Sequence, residues 1–305
     1  MQARLLCRSL GGAIAISTFV AACTGSVTPS PSPSLLAGTD DPQPTPVQQV
    51  ASVPRRELLF PGKLLICSDL PYPPQEFFDE RGEPIGSDIE LGQEIARRLG
   101  LEAEIVNTLF DTIIESVLSG KCDIIISAQS ITSEREQLVD MIPYFRAGQA
   151  FVVAAGNPAE LRNELDLCGA TIATQAGTIQ SDLVRGEGDY GGQGLSPACV
   201  AAGKAPIRLR EFDKDDQAID ALLAGLVDAY FLDSPAAGYH VLQRRGELEL
   251  MGLTLDIADQ GISVPKERPG LRDAVRTALD SMISDGTYRA ILDRYGVGDA
   301  SIAAP

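Results

Sequence analysis

KLLICSDLPYPPQEFFDERGEPIGSDIELGQEIARRLGLEAEIVNTLFDTIIESVLSGKCDIIIS, residues 63–127, alternates short apolar runs with amphipathic ones. Residues 63–67 read as a strand that the prolines at 71, 73 and 74 forbid from continuing. Residues 77–85, with Asp79-Glu80-Arg81-Gly82 at their centre, read as a hairpin around a glycine-containing turn. A helix begins at Ser87, where Ser87 and Glu90 have capping-box spacing, and Leu91, Ile95, Ala96 and Leu99 fall on one apolar face before Gly100 stops it. Residues 103–106 form the next strand, 112–119 a helix ended by Gly120, and 123–127 a third strand. Strand, helix, strand, helix, strand predicts an α/β fold with a parallel sheet covered on both faces.

The third strand runs into SAQSITSER, residues 127–135. Open α/β sheets bind ligands at the carboxyl ends of their strands, and this turn puts hydroxyls, an amide and Arg135 at such an end. Ser133 and Glu136 repeat the capping-box spacing, so Arg135 is expected in the first turn of a new helix, where free N–H groups and a guanidinium together favour an anion. Taken locally, an arginine between two glutamates reads as a solvated surface charge.

Residues 149–155 form a strand of unclear period, and after Asn157-Pro158 a second alternating set begins. Its strands are expected at 170–174, 207–210 and 227–232, with the glycine turn Gln175-Ala176-Gly177-Thr178 opening one helix and 214–224 forming another. The glycine-rich stretch 186–194, with Asp189, lacks the lysine of a phosphate-binding loop and reads as a flexible surface excursion. Asp233, before Ser234-Pro235, reads either as a helix cap or as a partner for an ammonium group. A strand at 262–265 and helices at 271–284 and 287–295 close the chain.

The amino terminus reads as an export signal, with Arg4 and Arg8 preceding the apolar run 10–22. Residues 23–56 are rich in Pro, Ser and Thr and cannot build a core, so they are expected to be a disordered tether. Of the cysteines left after Cys7 and Cys23, Cys168 and Cys199 share loop-like surroundings and are expected to pair, which closes a loop worth roughly 3–4 kcal/mol in the chain-entropy model. The state of Cys67 and Cys122, in or beside apolar strands, stays open. A formal charge of −17 repels phosphate backbones and argues against nucleic-acid binding.

His240 is the one histidine, in a helix-like segment without a nearby cysteine, which excludes a multi-histidine metal site. No GxSxG or HExxH motif occurs, and Asp215-Asp216 is placed on a helix surface. Neither a cofactor nor a metal is expected.

Residues 64–100 and the run NTLFDTIIESVLSGKCDIIISAQSITSEREQLVD (107–140), followed by QAGTIQSDL, VDAYFLD and SDGTYRAILDRYG, resemble the bacterial extracellular solute-binding proteins of the polar amino-acid type, family 3. Val20-Ala21-Ala22-Cys23 likewise resembles a lipobox, which implies lipidation of Cys23. The family resemblance implies two α/β lobes joined by two crossovers, with lobe 1 at 57–151 plus 262–305 and lobe 2 at 152–261. It implies a monomeric, lipid-anchored, extracytoplasmic receptor that is not an enzyme and hands a neutral or basic polar amino acid to an ABC permease. Arg135 would take the α-carboxylate, helped by Thr178 and the backbone near Ser130, and Asp233 the α-ammonium. Tyr72 and Phe110 would pack on the aliphatic part, with Asp69 and Ser127 setting selectivity. Gln75 and Ser87 stand where the family often has aromatics, which leaves ligand identity open. The alternatives are a cyclohexadienyl or arogenate dehydratase on the same scaffold, and a sensory receptor.

Overall fold

A computed structural model describes residues 49–302. The expected leader, Cys23 and the tether up to residue 48 lie outside the described residues. The described end of the expected tether packs instead: Val50 N–H donates to Arg98 O at 3.0 Å, and Val50, Ala51 and Val53 pack on the core. Their apolar side chains find a partner surface there.

The opening stretch folds as β1 (Lys63–Ser68), the hairpin β2 (Phe77–Phe78) and β3 (Pro84–Ile85), α1 (Ser87–Arg98), β4 (Glu102–Asn107), α2 (Ile113–Leu118) and β5 (Ile124–Ile125). β1 lies between β4 and β5, parallel to both. α1 begins at Ser87 without a capping box: Gly86 is its cap residue, Ser87 Oγ is buried without a partner, and the Asp88 carboxylate turns to the loop after β5 instead. At its other end Gly100 adopts φ 69°, and Leu101 N–H closes the helix onto Ala96 O at 2.9 Å.

α3 (Ser133–Leu138) leads into β6 (Val139–Ala154). The second half follows as β7 (Thr171–Gln175), α4 (Ile179–Arg185), α5 (Leu195–Ala201), β8 (Arg208–Phe212), α6 (Asp215–Leu223), β9 (Ala229–Asp233) and α7 (Ser234–Gln243). β10 (Leu248–Pro265) returns to the first half, which α8 (Pro269–Asp285) and α9 (Thr287–Arg294) complete.

Apart from the hairpin, the strands form one sheet in the order β4-β1-β5-β10-β6-β9-β7-β8. β6 and β10 run antiparallel through its middle, and β7 is parallel to both β8 and β9. Of these two central strands only the segments 149–155 and 262–265 are legible by pattern. Each strand leaves one core for another along its length, and β10 shifts register at three places against β6, so neither keeps one period.

Each half carries an apolar layer on both faces of its part of the sheet. In the first half Ile66, Leu91, Ile95 and Leu279 form one layer and Cys67, Ile113, Val117 and Ile125 the other. In the second, Val152, Ile219 and Leu232 lie on one face, and Phe151 and Phe231 stack at 4.1 Å on the other. Each fully buried side chain of this size contributes about 1.5–3 kcal/mol, so each half holds its own shape. The excursion between β6 and β10, residues 155–247, begins and ends at one place, where Ala155 N–H donates to Glu247 O at 2.8 Å.

Cys168 and Cys199 are joined, and so are Cys67 and Cys122. The latter two are fully buried, in β1 and just before β5, in the same apolar layer. That bond ties together the two segments that run on to Asp69 and Ser127.

Candidate ligand site in the cleft

At the carboxyl ends of β1 and β5 the first half meets the second across a small cavity. Asp69, Tyr72, Phe110, Ser127, Ser130 and Arg135 line it from the first half, and Thr178 and Asp233 from the second. The structure thus brings together all eight residues read from the sequence.

The turn after β5 is held in an uncommon conformation. Ala128 has φ 46°, in the left-handed region, which costs a residue with a Cβ on the order of 1–2 kcal/mol. Its N–H donates to Asp88 Oδ2 at 2.9 Å, and the Tyr144 hydroxyl donates to the same oxygen at 2.5 Å. The two bonds hold the strained turn in place. α3 is capped by Thr132, whose hydroxyl accepts the Arg135 N–H at 3.2 Å, one residue earlier than the capping-box spacing suggests.

Arg135 is half-buried and spans the cleft. One guanidinium nitrogen donates to Ser130 O at 2.7 Å in its own half and another to Gly177 O at 2.8 Å in the opposite half. The group lies over the Phe110 ring, 5.4 Å from its centre. Desolvation lowers its pKa to about 10, which leaves it charged at neutral pH. Gly177 has φ 74°, and a Cβ there would lie 2.8 Å from the Asp111 backbone of the first half, so this approach requires glycine.

Asp233 is buried at the end of β9, and its side chain makes no capping hydrogen bond for α7. Its Oδ1 accepts from Gln180 Nε2 at 2.9 Å, and its Oδ2 from Gln260 Nε2 at 3.0 Å and the Tyr72 hydroxyl at 3.2 Å. Burial raises its pKa to about 6 against the pull of those donors. Asp69 is equally buried and likewise raised to about 6 by desolvation. Its carboxylate is held by Lys214 Nζ and Gln175 Nε2, both from the second half, and Lys214 also donates to Leu70 O at 3.0 Å.

Ser127 Oγ accepts the Asp69 N–H at 2.9 Å and donates to Glu76 Oε1 at 2.8 Å. Glu76 lines the cavity, is buried, and shares a side-chain hydrogen bond with the Asp88 carboxyl. Burial and the neighbouring Asp88 push its pKa well up. A carboxyl so placed either keeps its proton or meets a cation. Sequence reading missed Glu76, Gln175 and Gln180, which line the cavity, and Lys214 and Gln260, which reach its carboxylates. Gln75-Glu76 directly after the proline turn is the one signal that could have marked the first of them.

One further expectation is corrected. Asp215 is on no helix surface: it is buried, with Oδ2 2.8 Å from His240 Nε2 and Oδ1 accepting from Tyr230 OH at 3.0 Å, a tie between α6, α7 and β9. Within the 186–194 stretch, Asp189 Oδ2 accepts the Ser133 N–H at 2.9 Å, so that stretch reaches the first half beside Arg135. Among the described residues no helix is long and apolar enough to cross a membrane.

The family model of the bacterial extracellular solute-binding proteins, family 3, matches residues 64–298. The arginine-binding protein ArgT of Corynebacterium glutamicum is 30% identical over 255 residues, covering 83% of this chain and 81% of that protein. An ancestral arginine-binding protein solved with arginine superposes with a TM-score of 0.69 at 32% identity, covering 77% of this chain and 98% of that one. An ancestral amino acid-binding protein described as a precursor of cyclohexadienyl dehydratase superposes with a TM-score of 0.64 at 30% identity, covering 77% and 95%.

Proposed function

The chain belongs to the bacterial extracellular solute-binding proteins, family 3, and on that premise we propose that it captures a polar amino acid as its zwitterion and delivers it to an ABC permease. It acts outside the cytoplasm, as this family does. The observation that carries the reading is that Arg135 and Asp233, one cation and one anion, border one cavity from opposite halves. A zwitterion entering a closing, dehydrating cleft needs a partner for each charge, since an orphaned one costs several kcal/mol. Because the partners sit on different halves, bound ligand favours the closed form, so binding and closure are a single equilibrium.

In this reading Thr178 and the turn at Ser130 assist Arg135 at the carboxylate, and Tyr72 and Phe110 flank the aliphatic stem. The side chain points toward Ser127 and Glu76, and the buried acid pair Glu76 and Asp88 behind that wall favours a basic group of the kind that ArgT binds. The halves move as 57–151 plus 262–305 against 152–261, flexing where β6 and β10 cross.

Titration calorimetry of the purified protein against the twenty amino acids, ornithine and citrulline tests the proposal. A single tight, saturable ligand among the polar amino acids is expected, with arginine foremost. Absence of binding across the panel, or turnover of prephenate or arogenate, overturns it. The lipid anchor rests on Val20-Ala21-Ala22-Cys23. Radioactive palmitate should enter the wild-type chain and not Cys23→Ser, and equal labelling of both removes the anchor from the proposal.

A further inference from the structure

We propose that Lys214 sets the charge preference of the cleft, as a resident cation that occupies Asp69 in place of a ligand's side chain. The inference rests on the amino-acid-binding reading above and goes beyond it by assigning a residue to selectivity.

Asp69 is the cavity carboxylate that a basic side chain would otherwise seek, since it is buried and lies beside Ser127 and Tyr72 on the cavity wall. Neither of its oxygens is open. Lys214 Nζ holds Oδ1 and Gln175 Nε2 holds Oδ2. The remaining donor capacity of the ammonium is also used, on Leu70 O at 3.0 Å and Asn107 Oδ1 at 3.4 Å. All three acceptors of this one lysine belong to the first half, while Lys214 itself precedes α6 in the second. The ion pair therefore forms only as the cleft closes, at the moment when a ligand is being enclosed.

The neighbouring acid offers Lys214 no alternative partner, because Asp215 is taken by His240 and Tyr230. A ligand cation could reach Asp69 only by displacing Lys214, which exchanges one ion pair for another and leaves a buried ammonium behind. With Asp69 neutralised from within, Glu76, tied to Ser127 and Asp88, is the remaining acid that lines the cavity besides Asp233. The cleft then distinguishes a cationic side chain from a neutral one through a single acid instead of two.

Arginine and citrulline have nearly the same shape and differ by this charge, so the ratio of their dissociation constants reads the preference. Calorimetry on the full chain compares that ratio in wild type, Lys214→Gln and Asp69→Asn. Lys214→Gln frees Asp69 and should shift the ratio toward arginine by about tenfold or more, the scale of one close charge pair in a desolvated site. Asp69→Asn leaves Lys214 facing the ligand and should shift it by a similar factor toward citrulline.

Opposite shifts support the proposal. An unchanged ratio in both variants, or a shift in the same direction in both, overturns it while leaving the amino-acid-binding reading intact. A wild-type protein that binds no amino acid overturns both. Melting curves of each variant accompany the titrations, and if Lys214→Gln fails to fold, the direction of the Asp69→Asn shift decides.

Discussion

Asp233→Asn will lose about 2–5 kcal/mol of affinity for the best amino acid, roughly 30-fold to several thousandfold, because the ligand's ammonium is left buried without its anion. The free protein will not be destabilised by the same change. The Asp233 carboxyl titrates at about 6, above its ordinary 3.8, so its ionised form is disfavoured by folding. Stability from this group is therefore present below about pH 3.8 and lost as pH rises through 6. At pH 7 asparagine removes that penalty, up to roughly 3 kcal/mol for two pKa units. The variant's amide can also be accommodated. Gln260 and Gln75 are linked by a 2.8 Å bond, and Gln75 Oε1 has no partner, so a half-turn of both amides presents an acceptor to the new NH₂. A melting temperature at pH 7 equal to or above wild type is expected, with the gain fading toward pH 4. Affinity follows the opposite course with pH: in wild type it is flat above about 7 and falls as pH drops below 6, where Asp233 takes up a proton, and in Asp233→Asn that slope is shallower. Calorimetry at pH 5 to 8 checks this, and an affinity loss matched by a loss of stability would make Asp233 a structural residue only.

Arg135→Ala is expected to weaken the same ligand by about 2–5 kcal/mol, since the carboxylate loses the cavity-lining cation opposite Asp233. Arg135→Lys should recover only part of this. A lysine keeps the charge but not the planar fork, which spans Ser130 O and Gly177 O. Those two contacts join the halves, so the alanine variant should release ligand faster, with a smaller change in the association rate. Stopped-flow fluorescence separates the two rates. Unchanged affinity in both Arg135→Ala and Asp233→Asn would mean that the ligand is not held as a zwitterion.

The first half was legible because its order of elements follows local signals: prolines after β1, an apolar stripe on α1, glycines ending α1 and α2. Arg135 was not legible locally, since two glutamates flank it and only family resemblance gave it a role. What draws it into the candidate site is the approach of Gly177, more than forty positions away, which no period or motif encodes. Asp215 was misread for a related reason: an acid pair in the first turn of a helix looks solvated, and its partners His240 and Tyr230 come from α7 and β9. Lys214 was lost because its acceptors lie about 145 residues earlier in the chain.

The hydrogen bond from Ala155 to Glu247 closes residues 155–247 into a segment that starts and stops at a single spot. Such a segment is an insertion within the chain that surrounds it, and could be exchanged as a cassette without rerouting the backbone. The cassette carries Thr178, Lys214 and Asp233, while Asp69, Glu76 and Arg135 stay with the host. The two halves of the pocket are thus separable units of inheritance, and a new specificity could arise by recombining them at one pair of neighbouring junctions instead of by altering each pocket residue in turn.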